Sequence, residues 1–572
     1  MRNKLKLLLI LFSVLLGGME VVRRIEALVR PDIQIAGLAA YAVLFLLCVV
    51  SAAGAGFFLR AWLRWSLAIA FAGAAWIVDG YQWVVGDFMT YDAFVTMTQS
   101  AGDLGSAFDQ QAEIMLMAAG KAVLLLLGIG LRPALPIPWA GRIAKIVAIP
   151  FLAMLVLLLY FRGGEGASGL LSAHGGLSFG LLQGYELVRY PNGERETVTI
   201  PKSGAKLSGD IILIIDESIA GAYLDINSPN GVYSGLDRPA SPVPIHNFGL
   251  AASITHCSVG SNLSLRYGGT RSNYLEMARS GPAIWAYART AGLETIYIDA
   301  QRTGGAYQNQ MNDAERQWID QWDQFDNVAV MDRDQAVADR LTRYLEDGKP
   351  QFILVNKVGA HFPVNDKFPD SHARYQPMLE RRQYADVTDM RAPDALYSRA
   401  GNWQRYRNSY RNTLSWNVGA FFDRLFNQAQ LDGATIIYTA DHGQFLHEQP
   451  DSGAATHCTP NPEIEEGVVP LVVIGGPDKG NNNWRQATKA QHNRTSHYRI
   501  FPTLLSLMGY EQQAIQGVYG PDLLSPEADP YTFNIRYNAR LGSSPIWKSI
   551  SVENVAQPPL SDHADIKRTA AP

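Results

Sequence analysis

The stretch IIYTADHGQFLHE, residues 436–448, decides how the larger part of this chain is read. Ile436, Ile437 and Tyr438 form an apolar run of strand type that stops abruptly at Asp441, His442 and Gly443. Similar runs recur: IILII at 211–215, TIYI at 295–298, FILV at 352–355, TIIY at 435–438 and VVPLVVIGG at 468–476. Continuous Ile/Val runs of this length mark strands covered on both faces. Helical patterns lie between them, for example 403–428 and 498–508, the latter with Ser496 as its candidate cap. The alternation predicts an α/β domain with a largely parallel central sheet and helices on both faces.

Ligands of such sheets sit just beyond the carboxyl ends of the strands, so the residues after each run carry the chemistry. IILII is followed by Asp216, Glu217 and Ser218, FILV by NKVGAH ending at His361, and TIIY by Asp441 and His442, with His457 fifteen residues beyond His442. Carboxylates mixed with imidazoles suit a hard or borderline divalent cation, zinc being usually four-coordinate. Adjacent Asp441 and His442 reach one ion only from irregular backbone, and Gly443 is expected to permit the turn. An isolated Asp-His-Gly is weak evidence, and a lone histidine is more often a core or surface residue. The joint arrival of these residues at several strand ends is the stronger signal.

The first third is different. Residues 35–59 carry no charge, enough to cross a hydrocarbon core of about 30 Å at about 1.5 Å per residue. Four weaker candidates join it, 7–22, 65–85 with Asp79, 114–131 with Lys121, and 143–161, so five spans are expected. The first could be a signal peptide behind MRNKLK, but no small-x-small cleavage site follows, and an uncleaved anchor is simpler. Arg60, Arg64, Arg132, Arg142 and Lys145 favour an inside N-terminus, against the placement of Arg23, Arg24 and Arg30. Five spans then deliver the rest to the extracytoplasmic side. The expected division is a helical membrane domain at 1–162, a Gly/Ser-rich linker at 163–206 and a catalytic domain at 207–572.

Residues 1–162 hold 13 of the 49 Lys/Arg and 9 of the 53 Asp/Glu, which leaves the outer part mildly acidic, 36 against 44. That balance excludes a nucleic-acid surface. All 11 histidines lie beyond the spans, which points to chemistry outside. Of the three cysteines, Cys48 falls in a span, and Cys257 and Cys458 either form one disulfide in an oxidising compartment or remain two thiols.

IILIIDES, TADHGQFLHE with a later His457, NKVGAHFPV and SYRNTLSWNVGAFFDRL together resemble the lipid A phosphoethanolamine transferases, in the sulfatase-like part of the alkaline phosphatase superfamily. The resemblance implies an alkaline-phosphatase-like fold and metal ligands at Glu217, Ser261, Asp441 and His442. Ser261 is the implied nucleophile, because it stands four residues beyond Cys257 in HCSVGSNLSLR as the family threonine does; Ser258 and Ser264 compete for the role. His361 and His457 match histidines that contact the transferred phosphate or assist the leaving group, and His497 matches less closely. Either Asp216 or Glu217 can be the ligand, with Glu217 favoured. Cys257 paired with Cys458 would tie the nucleophile loop to the segment bearing His457. A lysine-bearing glycine loop of the family has no equivalent around 301–305.

The implied activity is two-step transfer of a phospholipid head group, phosphoethanolamine, through a covalent serine ester to a cell-envelope acceptor such as lipid A or a glycan. The implied cofactor is a divalent metal, zinc, with manganese and magnesium as alternatives. The implied setting is a monomer in the bacterial inner membrane with its catalytic domain in the periplasm and no nucleic-acid partner. Phosphoglycerol transfer and sulfatase-like phosphodiester hydrolysis are the competing activities. A formylglycine sulfatase is disfavoured, because CSVGS lacks the Pro and Arg of the Cys/Ser-x-Pro-x-Arg signature.

Overall fold

The computed structural model describes residues 2–29, 34–85, 88–99, 104–134, 138–189, 195–204, 209–239, 242–381, 402–448, 456–459, 461–476 and 483–559. The chain forms two compact units, Met1–Asn192 with Asn538–Ser544, and Gly193–Tyr537 with Pro545–Pro572.

The first unit is helical: α1 (Arg2–Leu16), α2 (Gly18–Val29), α3 (Ile35–Ala55), α4 (Ala61–Val85), α5 (Tyr91–Gln99), α6 (Leu104–Gly130), α7 (Pro138–Phe161) and α8 (Ser172–Arg189). Among the described residues, three helices are long and apolar enough to cross a membrane: Ile35–Ala55, Ala61–Val84 and Ala112–Gly130. The expected span at 7–22 is broken, since Asn3–Leu16 and Gly18–Val29 meet at 52°. Gly17 and Gly18 stand at the break, and paired glycines remove the side-chain packing that stiffens a helix. The apolar stretch Val147–Phe161 is short, and α7 takes in Arg142 and Lys145, which had been expected in a loop. Length and composition therefore identify three spans, or four with the bent pair, where five were expected.

Asp79 and Lys121, the charges inside the third and fourth expected spans, form one buried ion pair at 2.8 Å. Each supplies the counter-charge that makes the other tolerable in an apolar bundle. The expected linker at 163–206 contains α8, which packs on α4 within the first unit. Its glycine content was read as the mark of a linker, yet Gly176 serves close approach: a Cβ there would lie 3.1 Å from the Ala74 carbonyl and 2.9 Å from Val78.

The second unit is built on a seven-stranded sheet in the order β2-β7-β6-β1-β5-β3-β4. Its strands are β1 (Ile211–Asp216), β2 (Ile245–Ala252), β3 (Glu294–Asp299), β4 (Gln321–Gln324), β5 (Gln351–Asn356), β6 (Thr435–Ala440) and β7 (Val468–Gly475). β6, β1, β5, β3 and β4 run parallel, and β7 is antiparallel to both neighbours. Every residue of β1, β5, β6 and β7 is buried, which is why those runs are so uniformly apolar. β2 and β4 escaped the sequence pattern. β2 is interrupted by Asn247 and Gly249 with a register shift there, and β4, QWDQ, is a polar strand at the sheet edge.

β1 lies between β6 and β5 in register, Asp216 opposite Ala440 and Ile215 opposite Asn356. The three chains therefore leave the sheet side by side. Lys357, the first residue past β5, is fully buried with its ammonium 2.7 Å from Asp216 and 3.8 Å from Asp334. Asp334 accepts the backbone N–H groups of Val358 and Gly359 at 2.8 and 3.0 Å. The ammonium also donates to the Asn417 carbonyl, in a π-helical turn, Ser415–Ala420, inside the long helix of 402–428. One buried cation thus joins β1, β5 and two helices. Lys357→Met strands two buried carboxylates, and we expect it to lower the stability of this unit by about 3–5 kcal/mol, read as an earlier thermal unfolding transition.

Candidate active site

Glu217, Asp441 and His442 follow β1 and β6, and one ligand atom from each lies within 4.8 Å of the other two. His442 Nε2 is 3.4 Å from Glu217 Oε1 and 3.8 Å from Asp441 Oδ2. The Asp441 N–H donates to the Asp216 carbonyl at 3.0 Å, continuing the β1–β6 ladder past the strands. Asp441 Oδ1 is held by the N–H groups of Ser218 (3.0 Å) and His442 (2.8 Å). Ser218 adopts φ of +61°, a conformation disfavoured for a residue with a Cβ, and its hydroxyl donates to Glu217 Oε1 at 2.9 Å.

His442 Nδ1 lies 2.8 Å from the Gly443 carbonyl. A carbonyl only accepts, so Nδ1 carries a proton and Nε2 is the atom that faces the two acids. Two carboxylates and an imidazole nitrogen facing one another, buried from water, need a positive charge between them. The electrostatics agree. His442 is pushed up to about 9, since Asp441 and Glu217 outweigh burial. Burial and Glu217 push Asp441 up to about 7. Glu217 is held below its ordinary value because its hydrogen bond to His442 and the charges of His361 and His442 outweigh burial. The group traps one positive charge, and its two carboxylates and one imidazole fit a divalent cation.

Gly443 has a different role from the expected turn. It has no positive φ; instead a Cβ there would lie 2.1 Å from the Glu465 carbonyl and 2.4 Å from that of Val468. Because β7 is antiparallel, it begins where β6 ends, and its leading backbone presses on this position. Gly359 allows a similar approach after β5, where a Cβ would meet Asp216 Oδ1 at 2.3 Å.

The serine at the site is Ser258. Its hydroxyl lies 3.1 Å from Glu217 Oε1 and 3.1 Å from His442 Nε2. It is the first residue of α9 (Ser258–Tyr267). Ser261, expected to meet the metal ligands, does not: it is fully buried and donates to the Thr255 carbonyl at 3.0 Å. The family spacing of four residues from Cys257 pointed to Ser261, but a helix starts at Ser258 and carries Ser261 about 4.5 Å down its axis. Ser264 is farther along and bonds Tyr537. Asp216 is turned toward Lys357 and Tyr438, away from the ligand group. His361 approaches closely enough for its charge to depress Glu217, and its Nδ1 bonds the Phe362 carbonyl at 2.9 Å. The His457 ring stacks on His442 with centroids 4.4 Å apart, and burial, then His442, hold its pKa well below the ordinary value. His497 lies outside this constellation, bonded to Thr439 at 2.7 Å and kept neutral by burial.

Three further residues contribute, of which only Ser218 stood among the strand-end residues read from the sequence. Ser218 and Asn262 touch the carboxylates, Asn262 at 3.5 Å from Asp441 Oδ2. Gln301, two residues past β3, reaches Glu217 Oε2 at 3.1 Å. It follows an apolar strand as the other site residues do, and that position was its signal in the sequence.

Cys257 and Cys458 form a disulfide with Cα atoms 4.9 Å apart. Each sulfur is borne by the neighbour of a site residue, Ser258 on one side and His457 on the other. The Cys458 N–H also donates to the His256 carbonyl at 3.0 Å.

Residues 243–510 match the sulfatase family. No curated protein matches the sequence. Among solved structures, the chain is similar to the integral membrane protein lipooligosaccharide phosphoethanolamine transferase A from Neisseria meningitidis. The TM-score is 0.64 at 14% identity, over 91% of this chain and 98% of that one, and the likeness is one of fold. Two separate domains match less closely. The periplasmic domain of EptC from Escherichia coli, in complex with Zn, gives 0.46 at 13% identity over 60% of this chain and 93% of that one. The soluble domain of the Neisseria enzyme gives 0.44 at 16% identity over 60% and 100%.

The disulfide closes a separation of 201 residues. Its removal in a Cys257→Ala/Cys458→Ala variant is expected to lower stability by about 2–5 kcal/mol; an unfolding midpoint that does not move on adding reductant would contradict this.

Proposed function

We propose that this chain, which carries a sulfatase-family domain at residues 243–510, is a metal-dependent membrane transferase moving a phospholipid head group, phosphoethanolamine, to a cell-envelope acceptor. The observation that carries the reading is the approach of the Ser258 hydroxyl to Glu217 Oε1 and His442 Nε2, both at 3.1 Å. Glu217, Asp441 and His442 would hold the cation, with zinc best suited to two carboxylates and an imidazole. When bound, the ion supplies positive charge that lowers the pKa of a nearby alcohol and offsets charge on phosphoryl oxygens.

Ser258 is then the nucleophile. Its Oγ forms a bond to phosphorus while the bond from phosphorus to the diacylglycerol oxygen breaks, and that oxygen takes up a proton. His361 and His457 line the same place and suit that proton transfer and hydrogen bonding to phosphoryl oxygens. Starting α9 at Ser258 adds the helix's unpaired N-terminal amides on the side where negative charge grows. In the second half an acceptor hydroxyl attacks the phosphoserine ester, and Ser258 recovers its proton. A hydroxyl acceptor such as a sugar of lipid A or a glycan satisfies this chemistry.

The proposed setting is a bacterial inner membrane, with five crossings made by the three long helices, the bent pair and α7, and the catalytic unit on the periplasmic side. The disulfide supports an oxidising compartment. The proposed state is a monomer.

The test is to incubate membranes bearing the protein with a phospholipid labelled in its head group. We expect label on the protein and then on an envelope lipid or glycan. Ser258→Ala should abolish labelled protein and lower transfer on the order of 10^4-fold or more, whereas Ser261→Ala should keep the labelling. Stripping the metal should stop transfer, and zinc should restore it. Label found only in water-soluble head group would replace the transferase with a hydrolase, and label persisting in Ser258→Ala would move the nucleophile.

A further inference from the structure

Glu217 has two oxygens with different duties. Oε1 faces His442, Ser258 and Ser218, the side on which the ligand atoms converge. Oε2 accepts a hydrogen bond from Gln301 Nε2 at 3.1 Å. The same amide nitrogen donates to the Lys357 carbonyl at 2.8 Å, which occupies its second proton. Gln301 is almost fully buried, at 4% exposure, and sits past β3, so it reaches across β5 to the end of β1.

The orientation of that amide is itself determined. Gln301 Oε1 accepts from Gln308 Nε2, and Gln308 Oε1 accepts from Arg302 Nε at 2.6 Å. An arginine only donates, so the direction of each bond along the row follows, and the nitrogen of Gln301, not its oxygen, must face Glu217. The Gln301 N–H is meanwhile anchored to Asp299 Oδ1 at 3.0 Å. A flipped amide would put oxygen against carboxylate and break the bond to Gln308.

We propose that Gln301 is a positioning residue that ties back one oxygen of Glu217, so that the acid offers a single oxygen to the cation in a preset orientation. The proposal rests on the metal-binding reading above. A ligating carboxylate left to rotate would spend its affinity on ordering and would tend to chelate through both oxygens. Partners of this outer kind are worth roughly 10–100-fold in metal affinity.

The experiment uses the full chain in detergent, with zinc affinity measured by competition against a chromophoric chelator and apo stability by thermal unfolding. Gln301→Leu removes the donor. Gln301→Glu keeps the shape and the oxygen that Gln308 bonds, but sets an acceptor against Glu217. Both are expected to weaken zinc binding about 10–100-fold beyond any lowering of the apo transition, which the unfolding measurement reads separately, and cobalt-loaded variants should show altered visible absorption. Gln308→Leu, which frees the amide without touching Glu217, should give a smaller loss and serves where a Gln301 variant fails to fold. Wild-type affinity and spectrum in folded variants would overturn the role of Gln301 alone. A wild-type chain that binds no divalent ion would overturn the metal-binding reading, and this inference with it.

Discussion

Two carboxylates and an imidazole nitrogen meet, buried, at the open ends of two adjacent strands. Their mutual repulsion is relieved only by a positive charge between them. Much of the surrounding architecture follows from that constraint. Ser218 accepts a strained backbone to donate twice, Gln301 restrains one oxygen, and the Gly443 carbonyl sets the tautomer of His442. A site organised this way is set for a cation before the cation arrives.

The sheet does the gathering. Because β6, β1 and β5 are adjacent and parallel, residues hundreds of positions apart leave the core side by side. The Lys357 ion-pair cluster lies directly beneath, joining the same strand ends. Two acids in succession after β1 therefore have opposite tasks. Asp216 faces inward to Lys357, and Glu217 faces outward to the ligand group, as the alternation of side chains along an extended chain requires.

The disulfide adds a second kind of gathering. It joins the start of α9 to the short segment carrying His457, regions that no strand pairing brings together. Ser258 and His457 are thereby both kept against His442, one bonded to its Nε2 and the other stacked on its ring.

The sequence alone determined the elements whose signals are local. Uniformly apolar runs marked five strands, since burial on both faces leaves no room for polar residues, and the 35–59 run marked a span because an unpaired charge is costly in hydrocarbon. Glu217, Asp441 and His442 were legible because each directly follows such a strand. Tertiary structure alone decided the rest. Which serine faces the ligands depends on where α9 begins, a matter of a few ångströms that spacing in the chain does not encode. The interrupted and polar edge strands, β2 and β4, are recognisable only once their neighbours exist to pair with. Gln301 gains its meaning from a carboxylate 84 residues away in sequence, and the glycines of α8 from a helix that packs against them. In each case the deciding energy is a contact between distant residues, and local composition is silent about it.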